Sequence, residues 1–433
     1  MKKYELEDSE ENIEITIKED VLDRNKKLVM LCKMLTNLDD NYNITIDGAW
    51  GSGKTFFVKQ FKYLLEHIKD YKDNVVFNEN DKDIIKKCAK NNLVIYYNAW
   101  ENDDHEDHPL ESIIYSILND YPEYKKKLPD FSEFKKVFKS FFRDIIYAGT
   151  AEIIDLNNID KMNSFEDYAI AIKTIAEKKE SFNDLINLLL NGNKRLILII
   201  DELDRCKPTF AIQLLETIKH FYSNKKITIL MSTNNFELSH SIKKVYGQDF
   251  DGYSYLNKFY DCIVYLDNTE QVINDYLKNK LLFNINNYVV QEIANMLINY
   301  YHLSLRECNK YVFMYNMLLN YIDGDYPFSK DDKYLYSDLL LPLSIIYKIK
   351  NIELYNKFIN DNADDEIKSV IEFLLKYDKI NSYFYSIASI KQNETIEEKT
   401  IQAYHNIFKK QIGYIKFPFL EALSMLGSDL NFN

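Results

Sequence analysis

Eight consecutive residues, from Gly48 to Thr55, carry the clearest chemical signal in the chain. They read GAWGSGKT and fit the pattern G-x-x-x-x-G-K-[ST]. Glycines let the backbone curl so that successive N–H groups face an anion, while a lysine and a hydroxyl at the end of the pattern suit phosphate oxygens and Mg²⁺. We therefore predict a phosphate-binding loop formed by Gly48, Ala49, Trp50, Gly51, Ser52, Gly53, Lys54 and Thr55.

A pair of acids gives the second signal. Asp201 and Glu202 directly follow the apolar run RLILII, which begins at Arg195 and is typical of a strand covered on both faces of a parallel sheet. Ligands bind beyond the carboxyl ends of such strands. Asp201 is accordingly predicted to hold Mg²⁺, and Glu202 is predicted to be catalytic, accepting a proton from the attacking water or orienting it.

A polar segment, STNN, ends the next apolar run, Ile227 to Ser232. Asn234 is predicted to hydrogen-bond the attacking water or the γ-phosphate, with Thr233 beside it. The alternative interpretation is a simple turn after the strand, which Thr and Asn also favour.

The surrounding periodicity indicates how these residues are positioned. A β-branched strand, Asn43 to Asp47, leads into the glycine cluster, and a helix with one apolar face, Thr55 to Ile68, follows it. Strands alternating with helices predict an α/β fold with a doubly wound parallel sheet sandwiched by helices. The other predicted strands are 93–100, 195–200, 227–232 and 262–266. The other predicted helices are an entry helix at 21–38 and helices at about 109–119 and at 208–222, while residues 12–17 alternate only weakly.

Domain boundaries follow from where strands stop. Residues 1–267 are predicted to form the core, with a helical insertion at about 121–192. Only helical patterns follow, so we predict a helical lid at 268–325 and an α-helical C-terminal region at 326–433.

Composition limits the choice of partner and compartment. The 433 residues are 46% hydrophobic and carry a net charge of −13, which excludes a mainly disordered chain and any global basic field. Nucleic acid is therefore not an expected partner, and the basic patch at 125–139, whose lysines alternate with phenylalanines, is interpreted as a solvated helix face. The sequence shows no transmembrane segment and no secretory signal, so a cytoplasmic location with reduced cysteines is expected.

Several motifs in register resemble the KAP P-loop NTPases. These are the segment DELDRCKP starting at Asp201, the segment NAWEN starting at Asn98, and the tryptophan at position 50, together spanning a resemblance over about 15–325. The resemblance implies an ATPase core of the additional-strand type with Walker A and Walker B motifs, Mg·ATP as ligand, and a link to bacterial defence against phage and plasmids. The paired membrane helices of many members are not carried over, because charged residues interrupt the insertion.

A cation is also needed to neutralise the γ-phosphate. Arg306 resembles the family's lid arginine, which would contact the phosphates of its own subunit; Arg205 and Lys258 are the alternatives, acting within one subunit or across the interface of a homo-oligomer. Asp104 is a weaker candidate for contact near the nucleotide. The acidic and histidine-containing loop at 103–108 is interpreted as a charged connection to a helix rather than as a metal site.

Two functional hypotheses remain. The first is an ATPase that binds and hydrolyses Mg·ATP to drive a conformational change. The alternative is a nucleotide-dependent switch or scaffold with negligible turnover that recruits a protein partner. ATP is favoured over GTP because the guanine-reading pattern NKxD is absent, its acid in NKFYD lying one place late at Asp261.

Overall fold

A computed structural model describes residues 7–36, 40–71, 76–104, 194–221, 224–266, 288–322, 334–387 and 394–409, with isolated positions between 105 and 193 and between 267 and 287. The chain divides into two compact units, one of residues 8–50 and 54–267 and the other of residues 1–7, 51–53 and 268–433. Apart from isolated positions, the predicted insertion at 121–192 lies outside the described residues, as do the basic patch at 125–139 and the histidines of the 103–108 loop.

A five-stranded parallel sheet forms the centre of the first unit and confirms the predicted fold class. Its order is β2-β3-β4-β1-β5. The strands are β1 (Asn43–Asp47), β2 (Asn92–Asn98), β3 (Arg195–Asp201), β4 (Ile227–Thr233) and β5 (Cys262–Tyr265).

Strand register brings polar residues to one edge of this sheet. Asn98 lies opposite Asp201 on neighbouring strands, and Asp201 lies opposite Ser232. Asp47 is likewise paired with Thr233. Because all the strands run in parallel, the residues that end them lie together at the carboxyl edge.

Seven helices are described in this unit. They are α1 (Glu10–Glu19), α2 (Asn25–Thr36), α3 (Lys54–His67), α4 (Glu79–Asn91), α5 (Pro208–Phe221), α6 (Asn235–Tyr246) and α7 (Gly252–Leu256). Three 3₁₀ turns, Ile68–Asp70, Trp100–Asn102 and Leu203–Arg205, accompany them.

Alternation along β2 shows how the two faces of the sheet are covered. Tyr97 belongs to a buried cluster with Phe210 of α5 and Ile242 of α6. The preceding residue, Tyr96, points to the opposite face of the sheet. There the ammonium of Lys59 on α3 lies 5.0 Å from the Tyr96 ring centroid. Helices therefore pack on both faces of the sheet, as the sequence predicts.

Four helices of this unit, α1, α4, α6 and α7, go beyond the predicted ones. The weakly alternating residues 12–17 belong to α1, whose first turn is capped by the Ser9 side chain and whose Ile13 and Ile17 are buried one turn apart. Helix α4 was not predicted from the pattern. It is strongly polar and buries only Lys82, Ile85 and Cys88. Its sequence therefore has too few apolar residues at helical spacing to show a pattern.

In the second unit, the regular secondary structure of the described residues is helical. It contains α8 (Tyr288–Tyr300), α9 (Leu305–Ile322), a π-helical turn (Tyr336–Leu340), α10 (Leu341–Lys350), α11 (Ile352–Ile359), α12 (Asp364–Leu374), α13 (Asp378–Ile387) and α14 (Ile396–Lys409). The buried Tyr404 of α14 donates a hydrogen bond to the Phe358 carbonyl at 2.7 Å and joins α14 to α11. Among the described residues of the whole chain, no helix has the length and apolar character needed to cross a bilayer.

Candidate functional site

The glycine-rich loop follows β1, as predicted, and its last two residues, Lys54 and Thr55, are the first two residues of α3. Lys54 is buried, and its Nζ donates to the carbonyl oxygens of Gly48 at 2.7 Å and Ala49 at 3.3 Å. Burial lowers the pKa of Lys54, whereas Asp204, Asp201 and Asp47 act in the opposite direction. The ammonium is thus folded over its own loop, where phosphate oxygens can replace the carbonyls as acceptors.

Positive φ angles explain why two residues of the loop are glycines. Gly51 has φ 82° and Gly53 has φ 85°, a region that side chains disfavour. Within the second unit, a Cβ added at Gly51 would lie 2.7 Å from the Ser304 Oγ and 3.1 Å from the Arg306 Cβ. Position 51 is therefore restricted to glycine by conformation and by space.

The same neighbourhood contains the start of α9. Ser304 and Glu307 form a capping box, in which the Glu307 N–H donates to Ser304 Oγ at 3.4 Å and the Ser304 N–H donates to Glu307 Oε2 at 2.7 Å. The box fixes the first turn of α9, which carries Arg306, an exposed residue. Arg306 is consequently held on a defined helical turn.

Asp201 ends β3 and is almost fully buried, with 1% of its surface exposed. The Tyr96 hydroxyl donates to its Oδ2 at 2.9 Å, and the Glu202 N–H donates to its Oδ1 at 2.9 Å. Burial raises the pKa of Asp201, and the hydroxyls of Ser232, Thr55 and Tyr96 oppose that rise. The structure thus brings together Thr55 and Asp201, the two residues predicted to hold Mg²⁺.

Glu202 has an unusual backbone for a glutamate, with φ 61° in the left-handed region. One carboxylate oxygen pairs with Arg205 at 2.5 Å, and the other accepts from Asn98 Nδ2 at 3.3 Å. Burial raises the pKa of Glu202, which Arg205 lowers and Asp201 raises further. Its side chain is 12% exposed, so a water molecule can still reach it.

Both tryptophans of the chain lie beside these residues. Trp50 Nε1 donates to Asp204 Oδ2 at 2.6 Å, and the Arg205 guanidinium lies 5.3 Å from the Trp100 ring centroid. The two tryptophans are 48% and 49% exposed. The phosphate loop and the 3₁₀ turn after Glu202 are therefore joined by a direct hydrogen bond.

Asn234 lies at the N-terminus of α6, at the same edge of the sheet. Its side-chain oxygen accepts from the Glu237 N–H at 3.3 Å and caps the helix. The next residue, Asn235, donates its N–H to Asp47 at 3.0 Å and accepts from the Thr233 hydroxyl at 2.7 Å. The capping bond orients Asn234, whose predicted contact with the γ-phosphate stays a prediction.

The remaining candidates have other contacts in the structure. Lys258 lies 5.8 Å from the Tyr255 ring centroid, and Asp104 pairs with Lys207 at 3.2 Å. Sequence reasoning did not single out Tyr96 or the bond between Trp50 and Asp204. Tyr96 and Asn98 lie on the same face of β2. This spacing would have indicated a contact with Asp201 only if β2 had been known to neighbour β3.

Comparison with known proteins identifies the family to which the chain belongs. A profile described as the KAP family P-loop domain matches residues 24–317, more than half of the chain. The chain belongs to the KAP family. The matched range contains the phosphate loop, Asp201, Glu202, Asn234 and Arg306, so all the candidate site residues lie within the KAP domain.

Two further similarities accompany the KAP match. An uncharacterized protein of Methanocaldococcus jannaschii is 27% identical over an alignment of 175 positions, which covers 32% of this chain and 89% of the relative. A solved structure of the Aeropyrum pernix ORC1 protein in complex with DNA has a TM-score of 0.35 at 11% identity, covering 93% of this chain and 83% of that chain.

The KAP site has the donor set that Mg²⁺ favours. Among the described residues, no group of three or more His, Cys, Asp or Glu side chains is arranged around a point. Mg²⁺ does not need one, since it commonly keeps several waters and takes one or two protein oxygens together with phosphates. The buried Asp201 carboxylate and the Thr55 hydroxyl that hydrogen-bonds it fit this requirement.

Proposed function

We propose that this KAP-family protein binds Mg·ATP at the loop Gly48–Thr55 and hydrolyses it, and that hydrolysis drives a conformational change. The observation that carries the proposal is the convergence at one sheet edge of a buried lysine, Lys54, and a buried carboxylate, Asp201. Each of these two side chains can bind a ligand of opposite charge that comes from outside the chain. Phosphate oxygens fit the first, and a divalent cation fits the second.

Binding begins with the phosphates entering the loop. The backbone N–H groups of Ala49, Trp50, Gly51, Ser52 and Gly53 would donate to them, while the Gly48 N–H stays bonded to the Thr233 carbonyl at 3.3 Å. The Lys54 ammonium would exchange the carbonyls of Gly48 and Ala49 for phosphate oxygens. Thr55 and Asp201 would hold Mg²⁺, which neutralises phosphate charge when bound.

Hydrolysis then depends on Glu202. Its carboxylate accepts a proton from the attacking water or orients that water, and the bond between water and phosphorus forms as the bond to the leaving diphosphate breaks. Asn234, oriented by its capping bond, contacts the γ-phosphate or the water. Arg306 supplies positive charge to the γ-phosphate.

A second candidate function is favoured by one observation. Glu202 is engaged by both Arg205 and Asn98, and a base held in this way is less available to a water molecule. The same site can therefore serve a nucleotide-dependent switch or scaffold with negligible turnover that recruits a protein partner. Formation of a homo-oligomer and a role in defence against phage or plasmids are further proposals, which depend on the family resemblance alone.

Mg²⁺-dependent ATP turnover by wild type and by Glu202→Gln tests the proposal, with bound nucleotide measured in the same samples. We expect the substitution to retain bound ATP and to lower turnover roughly 100-fold or more. Glu66→Gln is the matched control, because Glu66 pairs with Lys62 on the surface of α3 at 2.8 Å. Bound ATP without turnover in wild type would favour the switch, and the absence of bound ATP would contradict both functions.

A further inference from the structure

An exposed tyrosine ends the edge strand β5 of the first unit. Tyr265 is the last residue of β5, and 55% of its surface is exposed. In the parallel register Tyr265 lies opposite Asp47, the residue directly before the phosphate loop. The two backbones are therefore one strand spacing apart, about 5 Å. An aromatic ring that is accessible to solvent thus lies beside the beginning of the loop.

Contacts on several sides hold Tyr265 in place. The Leu266 N–H donates to the Asp47 carbonyl at 2.7 Å, and the Lys27 ammonium of α2 donates to the Tyr265 carbonyl at 3.4 Å. The side chain of Tyr265 is hydrogen-bonded to that of Tyr253 on α7, which is itself 45% exposed. Tyr265 therefore presents its ring from a fixed strand.

Strand order determines the direction in which a bound nucleotide extends. Asp201 and Glu202 follow β3 and Asn234 follows β4, and both strands lie on one side of β1, which leads into the phosphate loop. Strand β5 lies on the other side of β1. In the proposed function, the γ-phosphate faces these three residues. Since the base and the γ-phosphate are opposite ends of a nucleotide, the base extends away from β3 and β4, toward the end of β5.

The acid of the pattern NKFYD does not lie where this base would be. Asp261 directly precedes β5, and its carboxylate accepts the N–H of Asn43, the first residue of β1, at 2.8 Å. Because β1 and β5 are parallel, Asp261 lies at the amino edge of the sheet, whereas the phosphate loop follows the carboxyl edge. At the carboxyl edge, β5 presents the ring of Tyr265, which offers a base a stacking contact.

We propose that the nucleobase stacks on the ring of Tyr265 and that this contact favours purine over pyrimidine nucleoside triphosphates. Stacking on an aromatic ring is available to every base because each base has a π-face, and it strengthens with the area of the overlapping rings. A purine has two fused rings and a pyrimidine has one. The inference rests on the proposed function, because the base reaches Tyr265 only when the phosphates occupy the loop.

Calorimetric titration tests the stacking, with Mg²⁺ and the β,γ-methylene analogues of ATP and CTP, which are not hydrolysed. We expect wild type to bind the ATP analogue about 10-fold more tightly than the CTP analogue. Tyr265→Leu keeps an apolar side chain but removes the ring, so the affinity for the ATP analogue should fall about 10-fold and the ratio of the two affinities should fall to about one. Tyr265→Phe should keep the wild-type ratio, because the ring remains.

The ratio of affinities depends on the base alone, so a variant with a damaged loop loses both affinities and keeps the ratio. A wild-type ratio in Tyr265→Leu therefore overturns the proposal, whether or not the affinities themselves fall. Tyr385→Leu is the matched control, because Tyr385 of α13 is 58% exposed and its replacement should change neither affinity.

Photolabelling of wild type gives a second measurement that no folding defect of a variant affects. On irradiation with Mg²⁺ present, 8-azido-ATP loses N₂ from the azide on its base, and the resulting nitrene inserts into bonds of neighbouring side chains. We expect mass spectrometry to find the label on the peptide that contains Tyr265, and an excess of ATP to suppress it. If the label that ATP suppresses lies only on other peptides of the chain, the stacking assignment is wrong.

The titration of wild type also separates the two possible failures. If wild type binds neither analogue, the proposed function fails and the inference falls with it. If wild type binds both analogues with equal affinity, nucleotide binding stands and the inference is wrong.

Discussion

The Tyr96 hydroxyl donates a 2.9 Å hydrogen bond to the Asp201 carboxylate across the neighbouring strands β2 and β3. Burial and the charge of Asp201 raise the pKa of Tyr96 well above its usual range, so the phenol keeps its proton and remains a donor. One oxygen of Asp201 is oriented by this bond, and the other accepts the Glu202 N–H. The carboxylate proposed to hold Mg²⁺ is therefore fixed before any ligand arrives.

Removing that donor should weaken the metal site. We expect Tyr96→Phe to raise the Mg²⁺ concentration for half-maximal ATP turnover by roughly 10-fold, because partners that orient a ligand contribute 10- to 100-fold to metal affinity. kcat at saturating Mg²⁺ should change much less. A Mg²⁺ titration of turnover measures both quantities. Tyr63→Phe, which removes a hydroxyl from α3, serves as control, and equal Mg²⁺ requirements in the two variants would contradict the assignment.

Lys54→Ala should abolish tight nucleotide binding. The ammonium is the charged donor of the loop, and its loss should weaken ATP affinity by roughly 100-fold or more. Quenching of Trp50 and Trp100 fluorescence by ATP gives the affinity directly, since the chain has no other tryptophan. Lys62→Ala on the same helix breaks the ion pair with Glu66 and should bind ATP like wild type. Similar affinity in both variants would disprove the role of Lys54.

A buried carboxyl should make the second unit less stable as the pH rises. Burial raises the pKa of Asp338, against the hydrogen bonds that Ser337 and Tyr383 donate to it. The folded state thus holds a proton that the unfolded state releases first, near a pKa of about 4. The free energy of unfolding therefore decreases as the pH rises from that value through the raised pKa of the folded state.

Asp338→Asn should make this decrease smaller, whereas Glu372→Gln, an exposed change on α12, should leave it in place. Hydrogen–deuterium exchange of peptides from residues 334–409 at several pH values measures the stability of this unit. The same pH slope in Asp338→Asn and wild type would show that Asp338 does not cause it.

The hydroxyl of Tyr404 joins three segments of the second unit. It donates to the Phe358 carbonyl at 2.7 Å and accepts from the Ala363 N–H at 3.3 Å. Tyr404→Phe leaves both buried groups without this partner, so we expect a loss of about 1–2 kcal/mol in the free energy of unfolding. Urea-dependent exchange of peptides from residues 352–409 reports it. Tyr385→Phe, at a side chain that is 58% exposed, should have no measurable effect.

Much of the sheet follows from local sequence. The β-branched run Asn43–Asp47 is a strand with the predicted bounds, and the predicted helix after the glycine loop begins one residue early, at Lys54. These elements have strong local signals, namely a run of apolar residues bounded by glycine or by acids. Helix α4 lacks such a signal, because most of its surface is solvent-exposed and charged.

The contacts within the site depend on strand order, which local patterns do not contain. Tyr96 and Asp201 are far apart in sequence and meet because β2 neighbours β3. The bond from Trp50 to Asp204 likewise joins two segments whose periodicities are independent. The placement of the glycine-rich loop after β1 and of Asp201 at the end of β3 could be predicted from sequence, whereas the groups that orient them could not.

The parallel register also has a consequence for folding. Asp47, Asn98, Asp201 and Thr233 end four different strands, and only the completed order β2-β3-β4-β1-β5 aligns them. A partly folded chain therefore lacks the complete proposed site, and a ligand that binds only the native state would stabilise the sheet as a whole. In a cell, the nucleotide would then favour the survival of fully folded molecules over partly folded ones.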